Sequence, residues 1–221
     1  MSQAAIQLIV LAGVALFLVL RLKNVLGTRD GFESKPNGKP HGASPGRARP
    51  DLAVIEGSID EDIADHADVS SSTGKALAAM KRVEPSFGVT DFINGARGAY
   101  EMILMAFESG DLATLKQFLS DDVYTSFSSV VESRKLEGLK IEAKFIGVRE
   151  VKLTDAEFNE NNREGEITLK FLGELTSVVK DGAGKIVEGN PDEAKRQKDV
   201  WTFARIMGSD DPNWQLVATG G

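Results

Sequence analysis

The sequence of 221 residues contains no cysteine and only two histidines, His41 and His66. The lack of cysteine excludes disulfides, thiolate metal sites and cysteine nucleophiles. Both histidines precede the region that we expect to fold, so that region offers neither a histidine-based triad nor the ligands of a zinc site. We therefore predict no catalytic residue, no metal site and no cofactor, which indicates a protein that is not an enzyme.

Charge is unevenly distributed along the chain. The formal net charge is −7, which argues against nucleic-acid binding. Residues 21–50 contain seven basic and two acidic side chains, whereas residues 51–68 contain seven acidic side chains and no basic one. From residue 89 onward there are 16 basic and 23 acidic residues. This order indicates a basic collar, an acidic tether and a mildly acidic domain.

An apolar run near the N-terminus predicts a transmembrane anchor at residues 4–22. Ala4–Leu20 carries no charge, and the run approaches the ~20 residues that cross a bilayer. A buried core helix is disfavoured because the run is apolar on every face. Arg21 and Lys23 follow it directly, so the positive-inside rule places the C-terminal side in the cytoplasm. Both cations are also candidates for contact with anionic headgroups.

Residues 23–74 are predicted to form a flexible linker. Four prolines and four glycines alternate between residues 31 and 50, and such sequence cannot bury enough apolar area to offset its ordering entropy. Ile55, Ile59 and Ile63 recur at helical spacing within the acidic tether. We interpret that stretch as a fluctuating segment rather than a helix that folds on a partner.

Residues 75–88 are predicted to form a short basic amphipathic helix that leads into the domain. Leu77 and Met80 belong to its apolar stripe, and Pro85 ends it. Two interpretations stay open: the helix lies on a membrane or in a partner's groove, or it packs on the domain. Its basic side chains complete the candidates for membrane contact: Lys75, Lys81 and Arg82.

The domain itself is expected at residues 89–221, and residues 92–111 form its main predicted helix. Thr90 and Asp91 offer capping oxygens, and Gly110 offers a C-terminal stop. One face of this helix is strongly apolar and consists of Phe92, Ala96, Tyr100, Ile103 and Phe107.

After Gly110, two shorter helices and then alternating strands are expected. Ser120 caps the third helix, whose apolar side is Val123, Phe127, Val130 and Val131. Beyond Gly138 apolar residues recur at every second position, as in a strand, and this alternation shifts by one residue near Gly147, as at a β-bulge. Asp181–Lys185 reads as a hairpin turn. Three helices followed by four or five antiparallel strands predict an α+β fold, in which a curved sheet around the long helix encloses a conical cavity.

Both ends of the domain resemble one known family. The matching stretches are Phe92–Arg97, Ala99–Glu101, Asp199 with Trp201–Phe203, and Asp211–Trp214. They are similar to the C-terminal domain of the Tim44 family, the adaptor of the mitochondrial import translocase. The resemblance implies a cone-shaped, nuclear-transport-factor-2-like fold, an adaptor or scaffold role, and association with membranes that include cardiolipin. No transit peptide or extended chaperone-binding region is recognisable, which favours a single-pass protein of the bacterial inner membrane.

Candidate site residues follow from the helix face and the fourth strand. Tyr100, Glu101, Asp122 and Tyr124 are the carboxylates and phenols available to a cavity, and we interpret Tyr100 as a core or cavity-lining residue. Arg97 and Glu101 are expected to form a surface pair. Arg205 could pair with an acid or with an anionic headgroup, and a structural pair with an acid is favoured. The predicted cavity, partner or lipid surface consists of Phe92, Ala96, Tyr100, Phe107, Trp201, Phe203 and Arg205.

Three functions are compatible with these features. The favoured one is a membrane-tethered adaptor whose domain binds a protein partner or lipid. The resemblance implies a link to protein translocation or membrane-complex assembly. The alternatives are a lipid or small-molecule carrier, which needs an open apolar cavity, and an enzyme, which needs a pocket with a perturbed carboxylate.

Overall fold

The structure is a computed structural model, and it describes residues 60–220. Within this range the helices are α1 Glu61–Ala64, α2 Ser72–Val83, α3 Val89–Ser109, α4 Leu112–Phe118 and α5 Asp121–Leu136. The strands are β1 Lys140–Asn159, β2 Glu164–Lys180, β3 Ile186–Gly189, β4 Lys195–Ile206 and β5 Gln215–Gly220. The predicted anchor at residues 4–22, with Arg21, Lys23 and His41, lies outside the described residues. Between residues 60 and 220 no helix is long and apolar enough to span a bilayer.

The five strands form one antiparallel sheet in the order β1-β2-β4-β5, and β3 pairs with the end of β2. Side chains of the helices and of one sheet face form a single core; Tyr100 and Ile103 of α3 and Ile167 and Phe171 of β2 are fully buried in it. Helices packed on an antiparallel sheet confirm the predicted α+β class.

Strand β1 is long because three bulges let it bend while it stays paired with β2. Register shifts fall between Phe145 and Gly147, between Val148 and Glu150, and after Leu153. Each adds an unpaired residue to β1 and increases the local twist. The phase shift predicted near Gly147 is confirmed. The predicted hairpin turn is also present, since the Asp181 amide donates to the Lys185 carbonyl at 3.0 Å.

The main helix begins earlier than the sequence suggests, and its cap comes from far along the chain. Helix α3 begins at Val89, so Thr90 and Asp91 lie inside its first turn and do not cap it. Instead the Asp62 carboxylate accepts the amide protons of Val89 at 2.8 Å and of Thr90 at 2.9 Å. The predicted C-terminal stop is confirmed: Gly110 has a left-handed φ of 73°, a conformation that glycine adopts without strain.

The folded region therefore starts within the predicted linker. Ile63 of α1 is 2% exposed, because it packs in the same core as Leu77 and Met80 of α2. The expectation of a flexible linker is wrong for residues 60–74, and that of a fluctuating segment is wrong at Ile63. His66 also lies in this folded part, where its Nε2 is 2.9 Å from the Thr90 hydroxyl, so the expectation of a histidine-free domain is wrong as well.

Helix α2 packs on the domain, which decides between the two interpretations of this basic segment. Leu77 and Met80 are fully buried. Lys81 is engaged by carboxylates of the α1 segment, with Nζ at 2.8 Å from both Asp60 and Asp62. On α5 the burial is as predicted for Val123 and Val131 but not for Val130, which is 42% exposed.

The Asp62 cap predicts an acid-sensitive contribution to stability. Burial alone would raise the pKa of Asp62, but hydrogen bonds from Lys81 and from the amides of Thr90 and Val89 outweigh it and hold the pKa well below its usual range. A depressed pKa means that the stabilisation is complete above the unfolded pKa of about 4 and is lost as the pH falls toward the folded value.

We expect Asp62→Ala to lower the free energy of unfolding by about 2 kcal/mol at neutral pH, and by less at pH values below the unfolded pKa. Urea unfolding across this pH range measures both effects. Asp65→Ala is the matched control, since Asp65 is exposed on the same segment; it should change the free energy by less than about 0.5 kcal/mol. An equal cost for both variants would contradict the role of Asp62 as a cap.

Candidate functional site

Most of the residues predicted to line a cavity form the centre of the core instead. Phe92, Ala96, Tyr100, Trp201 and Phe203 are between 0% and 8% exposed. Their rings contact one another: Tyr100 and Trp201 have centroids 4.7 Å apart, and Phe92 and Phe203 6.0 Å apart. These five side chains therefore present little surface to a partner, and the other two members of the predicted set, Phe107 and Arg205, are half-buried.

Arg205 has a structural role. Its Nη2 lies 2.6 Å from a Glu84 carboxylate oxygen, and its guanidinium carbon lies 5.3 Å from the centre of the Trp214 ring. The same Glu84 oxygen accepts the Gly208 amide proton at 2.9 Å. The hydrogen bond from Arg205 lowers the pKa of Glu84 against the effect of burial. The predicted pairing of Arg205 with an acid is confirmed, and it joins α2 to the end of β4.

Tyr100 sits where α3 crosses the sheet. Its ring stacks on Phe171 with centroids 4.5 Å apart and planes inclined by 8°. Gly173 makes this approach possible, because a Cβ there would lie 2.7 Å from the Tyr100 hydroxyl. That hydroxyl donates to Asp199 Oδ2 at 2.5 Å. Tyr100 is thus a buried phenol held by one carboxylate, as its interpretation as a core residue predicted.

Asp199 is the acid of this site, and the sequence analysis did not select it as a site residue. It lies half-buried at the end of the aromatic core and accepts a second hydrogen bond from Gln197 Nε2 at 3.1 Å. Burial raises its pKa, and the hydrogen bonds from Tyr100 and Gln197 oppose that rise. A signal was present, since Asp199 lies within a strongly alternating strand, two residues before Trp201, but alternation cannot reveal which helical residue an acid meets.

The other candidates for a reactive site lie apart from this pair. Glu101 and Asp122 are exposed, and the Tyr124 ring contacts Lys116, whose Nζ is 4.8 Å from its centre. Arg97 donates to the Val148 carbonyl at 3.3 Å, so the expected pair with Glu101 is replaced by a contact to β1. Among residues 60–220, no group of three or more acidic or histidine side chains could hold a metal ion.

From Tyr100, α3 and β4 run together toward one end of the core. Eight residues of helix and four of strand both advance about 12–14 Å, which brings Glu108 of α3 toward Lys195 of β4. The geometry agrees with the electrostatics: burial raises the pKa of Glu108, while Arg134 and Lys195 lower it and Glu188 raises it.

Phe107, Glu108, Phe127 and Arg134 form the rim of the core at this end. The Phe107 and Phe127 rings have centroids 4.7 Å apart. The Arg134 guanidinium lies 4.4 Å from the centre of the Phe107 ring and donates to the Phe107 carbonyl at 3.4 Å. All four side chains are half-buried. Aromatic faces beside an arginine are the side chains that protein interfaces favour.

The cations of α2 fall into two groups. Lys81 is occupied by Asp60 and Asp62, whereas Lys75 and Arg82 are exposed. Of the predicted membrane contacts inside the described range, these two therefore remain available to an anionic surface.

Comparison with known proteins gives consistent matches to one family. The profile described as the Tim44-like domain matches residues 73–221. The mitochondrial import inner membrane translocase subunit TIM44 of Homo sapiens is 27% identical over 146 residues, which cover 65% of this chain and 32% of that protein. The probable mitochondrial import inner membrane translocase subunit tin-44 of Caenorhabditis elegans is 29% identical over 118 residues, covering 52% and 27%. The chain thus spans about a third of the length of the curated relatives it matches.

A solved structure, the intermembrane space region of the chloroplast protein ARC6, aligns with 66% of this chain and 94% of that chain. Its sequence identity is 10% and its TM-score is 0.35. A likeness of this size supports no argument about function.

Tyr100→Phe tests the buried phenol–carboxylate pair. Removal of the hydroxyl takes a donor from a half-buried carboxylate, so we expect the free energy of unfolding to fall by about 1–3 kcal/mol at neutral pH. The pKa of Asp199 rises further without its donor, and the folded state then binds a proton more tightly. The loss should therefore shrink as the pH falls through the folded pKa of Asp199.

Urea unfolding as a function of pH measures this effect. Tyr124→Phe removes a half-buried phenol hydroxyl from α5 and serves as the matched control; it should show no such pH dependence. A loss for Tyr100→Phe that is the same at every pH would show that Asp199 does not depend on the phenol.

Proposed function

Since this chain belongs to the Tim44-like domain family, we propose that it is a non-catalytic adaptor that holds a protein partner at an inner membrane. The observation that carries the proposal is the family match over residues 73–221, which covers the whole of the sheet and all but the first of the described helices. The relatives are named as subunits of an import translocase of an inner membrane. A role in protein translocation, or in assembly of membrane complexes, is the function class these names support.

The proposed location is a bacterial inner membrane with the domain in the cytoplasm. The apolar run at residues 4–22 would supply a single span, and Arg21 and Lys23 on its C-terminal side would orient it. The segment that follows would act as a tether, so that the domain remains close to the membrane surface. We also propose the nuclear-transport-factor-2-like cone for the domain, which the bulged β1 and the long β2 around α3 support.

The rim is the proposed site of partner binding. Its aromatic and arginine side chains are half-buried rather than closed within the core. Helix α5 continues the apolar surface beyond it, because Val130 is 42% exposed and Leu136 is 90% exposed. A partner with an apolar segment flanked by charge would suit this surface, since Glu108 and Arg134 carry opposite charges beside the rings.

Association with anionic lipid is a second candidate property. Lys75 and Arg82 are exposed on α2, which follows α1 near the start of the described residues. Two cations near a membrane surface each contribute about 1 kcal/mol toward anionic lipid. This contact would assist the anchor and would not replace a protein partner.

Photo-crosslinking in native membranes tests partner binding. With a benzophenone amino acid in place of Leu136, we expect the full-length protein to capture a defined protein partner. Because the rim contributes the contact energy, Phe127→Ala in the same background should reduce the captured amount about tenfold. The same probe at Asn161, exposed at the β1–β2 turn, is the control and should capture none. Equal yields from both positions, or none from either, would contradict the rim as a partner site.

Fluorescent cardiolipin binding to the full-length protein in detergent micelles tests the lipid contact. We expect the double variant Lys75→Glu and Arg82→Glu to weaken binding about tenfold or more, because it reverses two exposed charges. The variant Lys135→Glu and Lys185→Glu changes the net charge equally on other exposed positions and should have little effect. Equal weakening by both variants would indicate a nonspecific charge effect and would reject the α2 contact.

A further inference from the structure

The sheet face that points away from the helices carries charge in separate blocks. Along β2 the core-facing Ile167, Leu169 and Phe171 are fully buried. Side chains alternate between the two faces of a strand, so the residues between them point to the other face, which we call the outer face. In chain order these outer residues are Glu164, Glu166, Thr168, Lys170 and Leu172.

Each charged block is reinforced by the neighbouring strand. Glu166 lies directly opposite Glu157 of β1, and Lys170 lies directly opposite Lys152. Like charges in directly opposed positions repel across a sheet. Neither lysine forms an ion pair with any acid between residues 60 and 220. The isolated domain therefore leaves both an acidic pair and a basic pair without compensation on one surface.

The acidic block is also the wall of an open cleft at the β1–β2 turn. The cleft has a volume of about 410 Å³ and is lined by Glu157, Phe158, Asn159, Glu160, Glu164 and Glu166. Repulsion from Glu164 and Glu157 adds to burial in raising the pKa of Glu166. The acids of this block thus destabilise one another, and a cation delivered from outside would relieve them.

The two blocks are placed symmetrically about Thr168. Lys170 is two residues from Thr168 in one direction and Glu166 is two residues from it in the other. The neighbours on β4 follow the same order: Val200 is opposite Lys170, Thr202 opposite Thr168, and Ala204 opposite Glu166. At the centre the Thr168 and Thr202 hydroxyls hydrogen-bond to each other at 2.9 Å. Asp155 of β1 lies opposite Thr168, and its carboxylate accepts a hydrogen bond from the Thr73 hydroxyl of α2 at 3.1 Å.

This arrangement is its own complement under a twofold rotation. We propose that a second copy of this chain packs face to face on the outer face, about an axis that passes Thr168 and runs across the strands. The rotation places the Lys170 and Lys152 pair of one copy over the Glu166 and Glu157 pair of the other, twice. It also places Val200 over Ala204.

The geometry of packed sheets accommodates this dimer. Face-to-face sheets lie about 10 Å apart and cross at about 30°, a separation that opposed lysine and glutamate side chains span. An isologous interface repeats each contact, so the two lysine–glutamate contacts made by the lysines of one copy become four in the dimer. The outer face lies on the opposite side of the sheet from α3, so the interface does not depend on the partner site proposed at the rim.

Charge reversal tests the interface in the full-length protein in detergent micelles. Lys152→Glu with Lys170→Glu turns the basic pair acidic, and Glu157→Lys with Glu166→Lys turns the acidic pair basic. Each variant alone should raise the dimer dissociation constant about tenfold or more, because four favourable contacts become repulsive. An equimolar mixture of the two should restore association, since one acidic face then meets one basic face. Sedimentation velocity measures both.

The same experiment includes a control for the folding of the monomer. Each variant exchanges one like-charged cross-strand pair for another, so its thermal midpoint should change little. Lys135→Glu with Lys185→Glu matches the change in net charge of the lysine variant at positions away from the outer face and should leave the dissociation constant unchanged. A monomer at every concentration, or a dimer that neither reversal weakens, overturns the proposal. The proposal is also overturned if the lysine variant loses association and the equimolar mixture does not restore it. That result would indicate an acidic partner of another kind.

A cysteine cross-link tests the position of the proposed twofold axis independently. Because the chain has no cysteine, Thr168→Cys introduces a single thiol that the proposed axis places close to its copy in the dimer. A bis-maleimide that spans about 10 Å, the separation of stacked sheets, should then give a covalent dimer. Ser126→Cys on the exposed side of α5 is the control and should give none. Cross-linking at Ser126 and not at Thr168 overturns the proposed face.

Discussion

The fold depends on one contact, the stack of Tyr100 on Phe171 against the flat surface that Gly173 leaves on β2. This stack sets the distance between α3 and the sheet and directs the phenol hydroxyl to Asp199. Because the neighbouring aromatic rings fill the space around it, the centre of the domain is a packed core. Within residues 60–220, the surfaces proposed for recognition are therefore the rim, α2 and the outer face of the sheet.

Polar contacts between distant parts of the chain stabilise the fold together with the aromatic core. Asp62 caps a helix that starts 27 residues later, and Glu84 pairs with Arg205 at the end of β4. Each carboxylate satisfies backbone amides as well as a cation, so its removal would leave these amides without their protein acceptor. The short helix α1 is consequently part of the domain, although its composition is that of a linker.

Periodicity predicted the parts of the structure that are decided locally. The apolar stripe from Phe92 to Ile103, the stop at Gly110 and the bulge near Gly147 each follow from the residues involved and their immediate neighbours. The start of α3, the partner of Arg97 and the acid that meets Tyr100 did not follow, since each is fixed by a residue far away in sequence. Five of the seven side chains predicted to form a cavity or partner surface are buried in the core, because apolar spacing alone cannot separate a cavity wall from a filled interior.

The contacts of Lys81 with Asp60 and Asp62 have a mechanical consequence in the proposed topology. A pull on a membrane-anchored tether enters the folded domain at Asp60, and there it first meets two ion pairs and a helix cap rather than the sheet. These short-range contacts would break before β1 and β2 separate. Segment α1 would therefore detach first, and the sheet would stay intact. A load from a moving partner would lengthen the tether by a few residues while the core and its rim kept their shape.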